Sequence, residues 1–344
     1  MHLQIGDKTM AATLFLTHRG LWQQQRILSA APENLQITMR RDASKEEILA
    51  LLPEMEFLIT EREDVIDADM IAAGRKLRLI QRLGSQTYDI DLAAAKAAGI
   101  PVCYWPDLST INVAEHCLMQ TLDLLRRTRE MGQVMSDAAW DKPSQRCDED
   151  TFAYNWSGRT GMRTLYEKTV GILGFGEIGR EMAPMLRGFR CHVLYNKRRQ
   201  MSPEAERELG ITYAATDDLI RQSDVLYCLL PFIPEAAESM NAAVFSAMKP
   251  GSYFVFCGGS GMVNENDLIA ALRSGQLAGA ALDTFTYEPV QKDSPLLAVH
   301  RETQTVNLLL TPHVAAGTEG GSRRSEYSNL DRRLAGEPLL YQVA

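Results

Sequence analysis

Three glycines, Gly174, Gly176 and Gly179, form a G-x-G-x-x-G run inside TVGILGFGEIGREMAPML, directly after an apolar stretch and directly before a helical one. That spacing suits a dinucleotide phosphate. The first glycine permits a tight turn, the second lets backbone amides approach a pyrophosphate, and the third allows a helix to pack closely on a strand. The helix amino end then faces the phosphates with its partial positive charge, and Phe175, Glu177 and Ile178 complete the candidate cofactor-binding turn.

About 20 residues later, a site built for NADH usually carries an acid that accepts hydrogen bonds from the ribose 2′-hydroxyl. Here the chain reads Asn196-Lys197-Arg198-Arg199, and no carboxylate occurs between Glu181 and Glu204. Lysine and arginine attract a 2′-phosphate through charge-assisted hydrogen bonds. The sequence therefore predicts NADP as the cofactor, with NADPH preferred over NADH.

Elements that can position such a turn are legible on both sides of it. Apolar runs at 169–173, 191–195, 225–230, 253–257, 279–282 and 307–310 alternate with helical patterns at 180–186 and 265–274, which predicts a doubly wound α/β domain with a parallel sheet. Upstream, runs at 12–17, 57–60, 77–83 and 100–103 alternate with helical patterns at 46–52 and after Asp91, with Gly99 as a helix stop, and predict a second α/β unit. A long helix starts near Ser109 or Thr110, and the polar, glycine-containing stretch 136–164 reads as a surface excursion.

At 344 residues the chain exceeds the usual size of a single core, so two domains are expected. A net charge of −8, from 44 acidic and 36 basic residues, gives no general field for nucleic acid or anionic lipid. The six cysteines include no C-x-x-C pair, so no metal site is predicted. Neither a signal segment nor a membrane span is apparent, and a cytoplasmic protein with a small-molecule substrate is the expectation.

Longer segments point further. GSQTYDID at 84–91, INVAEH at 111–116, AMKPG at 247–251, VNENDLIAALRSGQLAGAALDTF at 263–285, YEP at 287–289 and LLTPHVAAGT at 309–318 are similar to the D-isomer-specific 2-hydroxyacid dehydrogenase family, which includes glyoxylate/hydroxypyruvate reductases. The resemblance implies a Rossmann nucleotide domain, residues 110–315, inserted in a smaller flavodoxin-like substrate domain made of residues 1–109 and 316–344. It also implies an active site between the two and a homodimer. On this pattern His313 is the proton donor and Glu288 its carboxylate partner; a nearby carboxylate favours imidazolium. Asp283 falls where the family faces the nicotinamide, with a strand-end cap as the alternative, and the Gly84–Thr87 loop, with Ser85 and Gln86, would offer backbone amides to the substrate.

One piece is missing. The family's arginine sits in a segment of the type N-T-A-R-G-G-x-V-D, and alignment on Val255 and Val263 sets Cys257-Gly258-Gly259-Ser260-Gly261 there, with Gly259 in the arginine's place. Glycine cannot grip a carboxylate in the planar, bidentate way of arginine. Three explanations remain open: another cation, Arg82, Arg19, Arg159 or Arg163, serves instead; the substrate lacks a carboxylate beside its carbonyl; or the protein binds NADP(H) without turnover, as a sensor or partner-binding module. If the absent cation is the obstacle, Gly259→Arg should raise activity on 2-oxoacids.

Overall fold

The computed structural model describes residues 10–61, 65–85, 87–302, 305–317 and 323–344. Two compact units emerge, Met1–Leu108 with Glu319–Ala344, and Ser109–Thr318. Both are α/β folds on wholly parallel sheets, so every loop that follows a strand within one unit lies on the same, carboxyl, edge of its sheet.

The first unit carries β1 (Ala11–Thr17), β2 (Leu35–Arg41), β3 (Phe57–Thr60), β4 (Leu79–Leu83) and β5 (Val102–Trp105) in the order β2-β1-β3-β4-β5. This is the flavodoxin-like order, with its switch point between β1 and β3. The helix Lys45–Leu51 opens on a capping box between Ser44 and Glu47. The chain's end returns to this unit because β5 still has an open edge: the Val102 amide donates to Ala344 O at 3.0 Å and the Tyr104 amide to Tyr341 O at 3.1 Å.

The second unit carries β6 (Thr169–Leu173), β7 (His192–Asn196), β8 (Ile211–Tyr213), β9 (Val225–Cys228), β10 (Ser252–Phe256), β11 (Leu277–Leu282) and β12 (Leu308–Leu310), ordered β12-β11-β10-β9-β6-β7-β8. Alternation builds two cores: Phe254 and Phe256 join the apolar cluster on one face, Tyr253 and Val255 the cluster on the other. Two strands escape the sequence reading, β2 and β8, and both are edge strands. β2 (LQITMRR) is mostly half-buried and ends in charge, and β8 has only three residues, so neither shows the apolar run of a strand covered on both faces.

Candidate active site

Gly174 follows β6 with φ +92°, a conformation that favours glycine, and a Cβ there would lie 2.8 Å from the backbone nitrogen of Leu230. The turn closes on Asn196, whose carbonyl accepts from Gly174 N at 3.1 Å and Phe175 N at 3.0 Å. Gly176 then caps the helix Glu177–Gly188 with an extended backbone. The amides of Glu177, Ile178 and Gly179 occupy its first turn, where no intrahelical acceptor exists, and they are the groups the fold offers to an anion. Gly179 packs on the ring of Phe175, 2.8 Å from where its Cβ would stand. A glycine cradle at the amino end of a helix fits a dinucleotide phosphate.

The structure refines the sequence reading of this turn. The Phe175 side chain lies in the core, 4.9 Å from the Tyr195 ring, and its amide is spent on Asn196. Asn196 likewise turns its side chain inward, donating to Ala214 O at 2.9 Å. Exposed Arg198 and Arg199, with half-buried Lys197 beside them, form the basic rim after β7; the two arginines make no ion pair with the described residues. Glu206, on the helix Pro203–Leu209 that follows the rim, accepts from Tyr195 Oη at 2.8 Å and Gln200 Nε2 at 2.9 Å.

The carboxyl edge also gathers the candidate reactive groups, on the loops after β10, β11 and β12. His313 Nδ1 and Glu288 Oε2 are 2.6 Å apart. The imidazole is half exposed, and engagement of Nδ1 leaves Nε2 free for another partner. The remaining carboxylate oxygen, Oε1, accepts from Phe285 N at 2.9 Å and from Ser260 Oγ at 3.1 Å. Burial pulls the Glu288 carboxyl upward, but the hydrogen bonds from His313, Phe285 and Ser260 outweigh it and hold the group below its ordinary range. Ser260 was missed in the sequence because it lies in the segment read only for its absent arginine.

Asp283, at the end of β11, is bonded to the loop after β12. Its Oδ1 accepts from Thr311 Oγ1 at 2.6 Å and Val314 N at 3.1 Å, and its Oδ2 accepts from Ala315 N at 2.9 Å. A carboxylate 1% exposed and holding three donors is a brace for the loop that bears His313, which itself adopts φ +52°. His116 and Gln120, on the helix Leu108–Arg126, reach Thr311 Oγ1 at 3.0 and 3.1 Å and extend that brace. Burial lowers the His116 pKa, against the pull of Asp283.

Gly259 lies where no side chain fits. A Cβ would overlap the Phe232 amide nitrogen and stand 2.6 Å from Phe232 Cβ, and Gly259 N donates to Leu230 O at 2.8 Å. The loops after β9 and β10 are thus in backbone contact.

In the first unit, Arg82 is buried and donates from Nε to Asp89 at 2.9 Å, so it is no substitute cation on a surface. The Gly84 amide donates to Trp105 O at 2.8 Å and is likewise not offered outward. Ser85 lies half buried in a bend, and Gln86 is outside the described residues.

Residues 118–315 match the family model described as D-isomer specific 2-hydroxyacid dehydrogenase, NAD binding domain. The chain belongs to this family. Among its relatives, D-3-phosphoglycerate dehydrogenase of Rattus norvegicus is 32% identical over 291 residues, covering 84% of this chain and 50% of that protein. Glyoxylate reductase of Thermococcus onnurineus is 29% identical over 281 residues, covering 81% and 79%. The chain spans about half the length of the phosphoglycerate dehydrogenases it matches. A glyoxylate reductase from Paecilomyes thermophila superposes with a TM-score of 0.53 at 24% identity, over 97% of this chain and 98% of that one, and speaks to the 2-hydroxyacid dehydrogenase fold alone. Among the described residues of this family member, no helix is long and apolar enough to cross a membrane.

Proposed function

We propose that this 2-hydroxyacid dehydrogenase family member is an NADPH-dependent reductase of a small carbonyl compound, with its substrate anchored differently from the family pattern. The observation that carries this reading is the His313–Glu288 hydrogen bond on the same strand-end edge as the glycine turn. Ligands of open parallel sheets bind at that edge.

When bound, NADPH supplies the hydride. The first-turn amides of Glu177, Ile178 and Gly179 would hold its pyrophosphate, and Lys197, Arg198 and Arg199 would receive the 2′-phosphate. The preference for NADPH rests on that basic rim and on the commitment of Glu206 to Tyr195 and Gln200. Glu288 fixes the imidazole through Nδ1, so that His313 gives its proton from Nε2 to the carbonyl oxygen, and takes one back in the reverse direction. Asp283 keeps the His313 loop in place. A cytoplasmic location and a homodimer are part of this reading, the homodimer carried by the family resemblance and checked by light scattering.

The test is a fluorescence titration with NADPH and NADH, followed by NADPH-consumption assays on carbonyl compounds. His313→Gln and Glu288→Gln should lower kcat by about 10²–10⁴-fold, the usual contribution of acid–base catalysis, with NADPH affinity retained. Tight NADPH binding with no turnover of any carbonyl would make the chain a coenzyme-binding protein instead.

A further inference from the structure

The loop after β10 says more about the substrate than that an arginine is absent. At Gly259 the obstacle to a side chain is the backbone of Phe232, with its Cα 2.7 Å and its Cβ 2.6 Å from the position of an added Cβ. Backbone cannot swing aside as the tip of a flexible side chain does. Gly258 is equally enclosed, 2.8 Å from Leu230 O by the same construction. This stretch of loop therefore presents no side chain at all, and the next residue, Ser260, is turned into Glu288.

The four arginines that could have compensated are engaged elsewhere. Arg82 is buried against Asp89. Arg159 faces Glu130 at 3.8 Å. Arg163 donates to Gly251 O at 3.1 Å, just before β10 begins, and so lies at the amino edge, opposite the Glu288–His313 pair. Arg19 is half exposed but opposed by two carboxylates, Glu61 at 3.2 Å and Asp107 at 3.7 Å, so an arriving anion would meet two negative charges along with one positive. Among the described residues, Glu288 has no ion-pair partner other than His313. The residues beside the reactive pair are apolar and solvent-facing: Tyr287 precedes Glu288 and Val314 follows His313. Phe232, 45% exposed, lays its ring 3.4 Å from the position of a Cβ on Gly261.

We infer that the substrate carries no carboxylate next to its carbonyl and is an uncharged aldehyde or ketone, seated on the apolar surface of Phe232, Tyr287 and Val314. A carboxylate brought here would face the Glu288 carboxylate and would lose its water without meeting any of these four arginines. The reaction is a two-electron reduction. The carbonyl carbon accepts the hydride, the opened C–O π pair accepts the proton from His313 Nε2, and an alcohol, oxidised coenzyme and neutral imidazole result.

This inference rests on the reductase reading above, and the experiment separates the two. With the full chain and NADPH, matched pairs that differ only in the carboxylate are compared: glycolaldehyde with glyoxylate, hydroxyacetone with pyruvate, phenylglyoxal with phenylglyoxylate. The uncharged member of each pair should show a kcat/KM at least tenfold higher. Oxamate, a carboxylate mimic of these oxoacids, should leave the Tm of the coenzyme-saturated protein unchanged. Preference for the carboxylate members, or a saturable rise in Tm with oxamate, overturns the inference and leaves the reductase reading standing. Turnover of neither member of any pair, with NADPH bound, overturns both.

Discussion

The hydroxyl of Ser260 donates to Oε1 of Glu288 at 3.1 Å, while the other carboxylate oxygen holds His313. A residue from the loop that lacks the family's arginine thereby orients the carboxylate on which the candidate proton donor depends.

Ser260→Ala should move the acidic limb of the kcat/KM profile. The serine donation helps hold the Glu288 carboxyl below its ordinary value, so activity that needs ionised Glu288 persists above that depressed pKa and is lost as pH falls through it. Without the donor the Glu288 pKa rises and the limb shifts to higher pH. Ser260→Thr, which keeps a hydroxyl, should restore it. A profile that Ser260→Ala leaves in place would show that the contact does not act on the carboxylate.

Gly259→Arg, the repair suggested by the sequence, should not restore activity on 2-oxoacids. Its Cβ meets the Phe232 backbone, and overpacking of this kind costs about 1–3 kcal/mol. Urea unfolding should show a lower midpoint for the variant. An undiminished midpoint together with new activity on glyoxylate would mean that the two loops part readily.

Removing the basic rim separates the coenzymes. Charge-assisted hydrogen bonds contribute about 1.5–3 kcal/mol, so Arg198→Ala with Arg199→Ala should weaken NADPH binding roughly ten- to a hundredfold. NADH binding should change little, because it lacks the 2′-phosphate. Fluorescence titration of both coenzymes reads this directly, and equal losses for the two would remove the basis for NADPH preference.

Asp283→Ala should act through the His313 loop. It removes an acceptor from the Thr311 hydroxyl and from the amides of Val314 and Ala315, and the buried Ala315 donor left without a partner costs about 1–3 kcal/mol. Stability should fall by about 1–3 kcal/mol in urea titration. In material that remains folded, kcat should fall with NADPH affinity nearly intact. A collapse of coenzyme affinity with kcat preserved would favour the nicotinamide contact that the sequence had suggested.

Much of this protein is determined by local sequence. The glycine turn is legible because positive φ at Gly174 and close approach at Gly179 are demands that few other residues meet, and the fully buried strands β3 and β9 stand out as unbroken apolar runs. The basic rim after β7 followed from its place about 20 residues beyond the glycine turn, and the pairing of His313 with Glu288 from the family resemblance. Tertiary structure decided the rest, because it turns on which atoms meet across distant segments. Only the fold could direct Asp283 to backbone amides some thirty residues away, bury Arg82 on Asp89, turn Ser260 to Glu288, and set the backbone of Phe232 where a side chain on Gly259 would have to stand. A hydrogen bond or a steric exclusion belongs to two places in the chain at once, and residue type at one of them does not specify it.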